Sequence, residues 1–264
     1  MVLYHADLSI FGGWFSGDFL GVDIFFVISG YLITGLILRE SRQGEFSYTD
    51  FYQRRARRLL PALFTVATMS LLVGWWLMLP AQFREMAESI RAALLFLSNM
   101  FFLFENSYTA EVAPLKPFLH TWSLSVEGQF YLLYPVALVT LFHHARTHLL
   151  ATLVIAGVMS LSLSIYLTLV TSDYAFYIFP TRIWELIAGA LIAVREIQAR
   201  EPGRYFADAW VSIGLAMITA SIILIDDRFA DPSLHTLIPV MGTVLVIRYA
   251  PSQGSDSCWV CGGW

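Results

Sequence analysis

The sequence predicts an all-α, polytopic integral membrane helix bundle with about seven to eight membrane segments. Three observations carry that prediction. Of the 264 residues, 57% are hydrophobic and only 14% are charged, whereas a soluble domain carries about 25% charged residues. Apolar runs at 19–38, 59–79, 121–142, 149–170, 177–194, 210–225 and 236–250 reach or approach the ~20 residues that a bilayer requires. Between them lie the polar stretches SRQGEFSYTD, LPAQFREMAES, ENSYTAEVAPLKP, HHARTH, REIQAREPGRYFAD and DDRFADPSLH, which read as loops. Nothing in the chain resembles a soluble domain, an internal repeat or a low-complexity segment. A transporter assembled from obvious repeats is disfavoured on that ground.

The first run, 19–38, includes GVDIFFVISGYL, which places Asp23 near the start of an apolar helix and Ser29–Gly30 in its middle. Asp23 suits the positive end of the helix dipole; alternatively, it lines a polar site at the outer ends of the helices. Gly30 permits close packing.

The formal net charge is −4, yet six of the sixteen Lys and Arg residues lie between Arg39 and Arg58. That cluster assigns its loop to the cytoplasmic side. Within FYQRRARRLLP, Arg54, Arg55, Arg57 and Arg58 stand at the mouth of the second run, with Pro61 read in that helix's first turn. Guanidinium groups three residues apart on a helix can grip a diphosphate through paired hydrogen bonds. The plainer reading of such a cluster is topogenic or headgroup-binding.

A shorter run at 90–104 either crosses or dips into the bilayer. If it dips, HHARTH and REIQAREPGR fall on the cytoplasmic side, in better agreement with the positive-inside rule. If it crosses, residues 120–127 lie near the cytoplasmic face.

The fourth motif is HTWSLSVEGQFYLLYP, residues 120–135. On a helix, Ser123, Glu127, Tyr131 and Tyr134 share one face. A carboxylate at that depth costs about 2.5 kcal/mol or more unless it is paired or wetted. Glu127 therefore requires a partner, and function is the usual reason for retaining such a group.

In PTRIWELIAGALIAV, Arg182 and Glu185 are spaced to pair with each other or to serve a substrate. Trp184 suits the interfacial belt. His143, His144 and His148 are read as solvated loop residues and no metal site is expected. His5 is either an interfacial side chain or, with a neutral-range imidazole, a general base that Glu127 could orient. Cys258 and Cys261 lack the second pair that a structural zinc site needs.

Taken in order, YHA, GGWFSGDFLGVDIFFVISGYLIT, FYQRRARRLLPAL, LLFLSNMFF, LHTWSLSVEGQFYLLYP and TRIWELIAGALIA resemble the membrane acyltransferase 3 family. Its members are O-acyltransferases of bacterial surface polysaccharides, lipopolysaccharide and peptidoglycan. The resemblance implies an acyltransferase that moves an acyl group, in the expected case acetyl, from cytoplasmic acyl-CoA to a hydroxyl of a cell-envelope carbohydrate. It implies no cofactor beyond that co-substrate, no nucleic-acid partner, and residence in the bacterial inner membrane. His5 and Glu127 match the family's functional histidine and glutamate, and the resemblance assigns the CoA phosphates to the Arg54–Arg58 cluster. Asp23, Ser123, Arg182 and Glu185 join the candidate substrate-binding residues. The resemblance also favours a crossing at 90–104.

Two departures stand out. Gly128 occupies the place of a second glutamate, and the arginine usual about ten residues before the histidine would precede Met1. Residues 1–250 are therefore expected to be a membrane domain incomplete at both ends, 251–264 an unassigned tail, and the 264-residue chain inactive by itself. The competing reading is a transporter or flippase, with Glu127, Arg182 and Glu185 lining an aqueous cavity. A scaffold protein would use the arginines for topology alone.

Overall fold

The computed structural model describes residues 20–106, 118–198, 207–224 and 234–250, and within them the chain is helical without strands. His5, Cys258 and Cys261 lie outside the described residues, as does the 251–264 tail. The helices are α1 (Leu20–Gln43), α2 (Tyr48–Leu77), α3 (Pro80–Leu94), α4 (Ser98–Asn106), α5 (Thr121–His144), α6 (Leu149–Val170), α7 (Ser172–Tyr177), α8 (Phe179–Gln198), α9 (Ala207–Leu224) and α10 (Leu237–Tyr249). Four spans, Leu20–Gln43, Tyr48–Leu77, Thr121–His144 and Arg146–Val170, are long and apolar enough to cross a membrane. Shorter apolar helices cover Ala207–Ile223 and Leu237–Tyr249. Trp75, Trp76, Leu77, Met159 and Leu169 are exposed on the outside of the bundle, as expected of side chains facing lipid. The protein is thus a multi-pass membrane protein.

The centre of the bundle is the contact between α1 and α8. A Cβ at Gly30 would collide with the Leu186 carbonyl, and one at Gly189 with the Val27 carbonyl. The two backbones meet where glycine allows it, as small residues do in bilayers that provide no hydrophobic drive between helices. Around this line pack Phe26, Val27, Ile33, Leu186 and Ala190, all 1% exposed or less. A second glycine contact joins α9 to α10, where a Cβ at Gly214 would stand 2.7 Å from the Gly242 carbonyl oxygen. Trp184, expected in the interfacial belt, is buried against Val27 and Val240.

Side-chain pairs fix the direction of the helices. Asp23 meets Arg182, while Tyr31 meets Glu196; Ser29 meets Glu127, while Thr34 meets Tyr134. Numbers rise together in both series, so α1, α5 and α8 run parallel. An ion pair between Arg248 and Glu196 at 3.7 Å brings the end of α10 to the same side. The C-terminal ends of these helices therefore share one side with the start of α2. That side collects Arg39, Arg42, the Arg54–Arg58 cluster, Arg146, Arg195 and Arg248, which the positive-inside rule places in the cytoplasm.

This geometry corrects the expected crossing at 90–104. Since α1 and α5 are parallel, α2 is the one crossing between them, and the run dips. Its end is chemically specified. Leu97 N donates to the Ala92 carbonyl at 2.8 Å and Phe96 N to that of Ala93 at 3.1 Å, with Phe96 at φ 54°. This is the Schellman closure of a helix, with phenylalanine where glycine is usual. It divides the run into helices of 15 and 9 residues, about 22 and 13 Å long, against ~30 Å of hydrocarbon. LPAQFREMAES, expected as a loop, is mostly the start of α3, with Pro80 in its first turn.

Pro61 is likewise not in a first turn. Ser47 caps α2 by accepting from Asp50 N at 3.3 Å, which starts the helix upstream of the arginines and leaves Pro61 in its interior. The cap carries all four arginines into the helix. The α1–α2 connection shrinks accordingly to residues 44–47.

Gly30→Ala and Gly189→Ala are each expected to lower the unfolding midpoint in detergent, at a cost of about 1–3 kcal/mol for overpacking. Gly35→Ala, where the added Cβ meets nothing within 4 Å, is expected to be neutral or to gain up to about 1 kcal/mol of helix propensity.

Candidate active site

Polar side chains on α1 face two different helices. Ser29 and Thr34 turn to α5, and Asp23 to α8. On the α5 side, the Ser29 hydroxyl donates to Glu127 Oε1 at 2.6 Å, and the Tyr131 hydroxyl donates to the same oxygen. Glu127 is 2% exposed and Ser29 5%. Hydrogen bonds to a charged group contribute about 1.5–3 kcal/mol each. Two of them therefore offset the intramembrane cost that made Glu127 conspicuous in the sequence. Further along the same interface, Thr34 Oγ1 and Tyr134 Oη lie 2.7 Å apart.

The arginine cluster is not uniform. Arg54 is engaged by Glu40 at 2.8 Å and is 43% exposed, so it serves the α1–α2 connection. Arg57 and Arg58 are exposed at the cytoplasmic end. Arg55 turns inward, its guanidinium carbon 5.3 Å from the Tyr131 ring centroid and 5.7 Å from that of Phe51. Its Nε is buried without a hydrogen-bond acceptor. A half-buried guanidinium whose donors are unspent is a ready anion site. The α2 backbone is fastened nearby, where the Tyr52 hydroxyl donates to the Leu132 carbonyl at 2.8 Å.

Asp23, Arg182 and Glu185 form a separate unit. Arg182 Nη1 lies 3.1 Å from Asp23 Oδ1 and 3.0 Å from Glu185 Oε1, and its Nε donates to the Phe176 carbonyl at 3.3 Å. The guanidinium also sits 5.4 Å from the Trp122 ring and 4.9 Å from that of Phe176. All three charged residues are 1% exposed or less. This unit joins α1 to α8, and Glu185 Oε2 within it is buried without a hydrogen-bond partner. Ser123 stands apart from the Glu127 cluster. Its hydroxyl donates to the His120 carbonyl at 3.1 Å, closing the first turn of α5, and does not reach Glu127.

Ser29 was overlooked as a site residue; the available signal was a hydroxyl in the middle of an otherwise apolar helix. The Trp122–Phe176 stack on Arg182 had no signal, because α5 and α7 meet only in the fold. Gly128 has a structural account. A side chain there would run into the Phe96 ring, so the glycine and the left-handed Phe96 fit each other. Gln129 fixes the same turn by donating to the Phe96 carbonyl at 2.9 Å.

A family model described as an acyltransferase domain matches residues 1–255. The chain belongs to this acyltransferase family. It is 35% identical over 198 residues to the O-acetyltransferase OatA of Staphylococcus aureus, covering 73% of this chain and 32% of the relative. BcsY of Komagataeibacter xylinus is 33% identical over 265 residues, 98% of this chain and 64% of that protein. An uncharacterized protein of Haemophilus influenzae is 29% identical over 237 residues, 86% of this chain and 97% of its own length. The chain thus spans about a third of the length of the staphylococcal relatives. No solved structure matches it.

Removing the shared cation should expose the cost of the buried carboxylates. Arg182→Met is expected to destabilise the bundle by about 3–5 kcal/mol, the usual penalty for stranding a buried charge. Adding Asp23→Asn and Glu185→Gln should restore most of the loss. Thermal unfolding in detergent, read for the single and triple variants, checks both.

Proposed function

We propose that this acyltransferase-family chain carries the membrane part of an O-acyltransferase. It transfers an acyl group, expected to be acetyl, from cytoplasmic acyl-CoA to a hydroxyl of a cell-envelope carbohydrate, in the bacterial inner membrane. The observation that carries the reading is the line Arg55–Tyr131–Glu127. It runs from an unspent guanidinium on the arginine-rich side to a buried carboxylate inside the bundle. Similarity to an O-acetyltransferase supports the reaction class.

In this reading Arg55 and Arg58 hold the CoA diphosphate, Arg55 from within and Arg58 from the surface. The imidazole of His5 takes the proton of the acceptor hydroxyl. The oxygen attacks the thioester carbonyl, the C–S bond breaks, and the CoA sulfur leaves with the proton returned by the imidazolium. An acyl-imidazole on His5, formed first and then attacked by the acceptor, balances equally well. Glu127 orients the imidazole and offsets its positive charge.

The transporter reading requires Glu127, Arg182 and Glu185 in an aqueous cavity. Arg182 and Glu185 are instead dry and bound to each other, which favours the enzyme.

Radiolabelled acetyl transfer from acetyl-CoA to envelope glycan, in membranes carrying an intact homologue with the equivalents of these residues changed, tests the proposal. Glu127→Gln and His5→Ala are each expected to reduce transfer by about 10²-fold or more, and Arg55→Ala to raise KM for acetyl-CoA. Undiminished transfer in both the Glu127 and His5 variants would overturn it.

A further inference from the structure

One side chain touches both ends of the line from the arginines to the carboxylate. Tyr131 presents its ring to Arg55 at 5.3 Å and its hydroxyl to Glu127 Oε1. Ser29 donates to that same oxygen at 2.6 Å, and the two hydroxyls are themselves 3.5 Å apart. Oε1 thus takes two donors from two helices, whereas Oε2 receives none among the described residues. A carboxylate held through one oxygen from both sides loses its rotational freedom and presents the other oxygen in a fixed direction. The α1 donor cannot drift, because its neighbour Gly30 is seated on the Leu186 carbonyl. Arg55 has no hydrogen bond to hold it among the described residues, so the rings of Tyr131 and Phe51 restrict its rotamers.

We propose that Tyr131 is a positioning residue with two separable duties. Its ring keeps the Arg55 guanidinium in place for the donor's phosphates. Its hydroxyl, together with that of Ser29, locks Glu127 so that Oε2 is the oxygen facing the reacting groups. The proposal rests on reading Arg55 as donor-binding and Glu127 as catalytic. The Thr34–Tyr134 pair, with the same chemistry in the same interface and no bond to Glu127, supplies an internal control.

The division of duties predicts different signatures in a purified intact homologue in lipid nanodiscs, with the substitutions made at the equivalents of these residues. CoA binding is read by calorimetry and acetyl transfer by steady-state kinetics. Tyr131→Phe keeps the ring, so CoA affinity should hold while kcat falls about 10- to 100-fold, the worth of a hydrogen bond to a charged group. Ser29→Ala should give the same pattern. Tyr131→Leu loses the ring as well and should also weaken CoA binding, about two- to fivefold. Tyr131→Met supplies that arm if the leucine variant does not fold. Thr34→Ala and Tyr134→Phe should move neither quantity. In a Glu127→Gln background, Tyr131→Phe should cause no further loss of kcat.

Wild-type kcat in Tyr131→Phe, wild-type CoA affinity in the ring-less variants, or losses that multiply in the Glu127→Gln background would each overturn the proposal. The underlying reading fails separately, if Arg55→Ala binds CoA as tightly as the unsubstituted homologue, if Glu127→Gln transfers at full rate, or if the unsubstituted intact homologue shows no transfer.

Discussion

The backbone contact between α1 and α8 at Gly30 and Gly189 is the constraint on which the rest depends. Helices in a bilayer gain nothing from hiding apolar side chains from lipid tails that are equally apolar. They associate by close packing and by polar contacts, and this pair uses both. Glycine brings the two backbones together, and the buried Asp23–Arg182–Glu185 unit joins them one to two turns nearer the outer side. With α1 held, its opposite face is presented to α5 in one rotational setting. Ser29 and Thr34 then meet Glu127 and Tyr134.

Seen from that contact, the two polar clusters have different physical characters. Around Arg182 one guanidinium is shared between two carboxylates, its Nε is taken by the Phe176 carbonyl, and two rings lie against it, while Glu185 Oε2 is buried without a hydrogen-bond partner. Around Glu127 the balance is incomplete by construction. One carboxylate oxygen is satisfied twice and the other is free, and the nearby Arg55 stacks on rings without a hydrogen-bond acceptor. Incomplete satisfaction of buried charged groups costs stability, and proteins retain it where a ligand or a reaction completes the set. What distinguishes the two clusters is their cation: Arg182 is bound to two carboxylates, whereas Arg55 beside Glu127 has a buried Nε with no acceptor.

The turn at Phe96 shows a departure in sequence acquiring a physical explanation. Gly128 reads as the loss of a carboxylate. In the fold it is the notch that accepts the Phe96 ring, and Phe96 in the left-handed region ends α3 through a Schellman closure. Because that closure keeps the run at 90–104 from crossing, it also sets the side of the membrane from which α5 begins. Glu127 consequently lies in the half of α5 nearer the outer side, one turn from Tyr131, against which Arg55 stacks.

The sequence by itself determined the class of the protein and the approximate position of its long apolar helices. Long apolar runs have one stable form in hydrocarbon, since each must satisfy its own backbone hydrogen bonds. It also marked Glu127 as a residue in need of a partner, because the cost of a charge in a bilayer is local and legible. It could not say which partner that would be. Arg182 and Glu185, three apart, looked like a pair or a site; Asp23, on a distant helix, joins them as a second carboxylate on the same guanidinium. Arg54, Arg55, Arg57 and Arg58 were equivalent as letters, and the rotation of α2 against α5 turned Arg55 alone into the bundle. Pro61 was misplaced, Ser29 was missed and the 90–104 run was left between two readings for the same reason. Helix rotation, the parallel order of α1, α5 and α8, and the contact of residues about a hundred positions apart arise from packing between helices. Only the tertiary structure decides them.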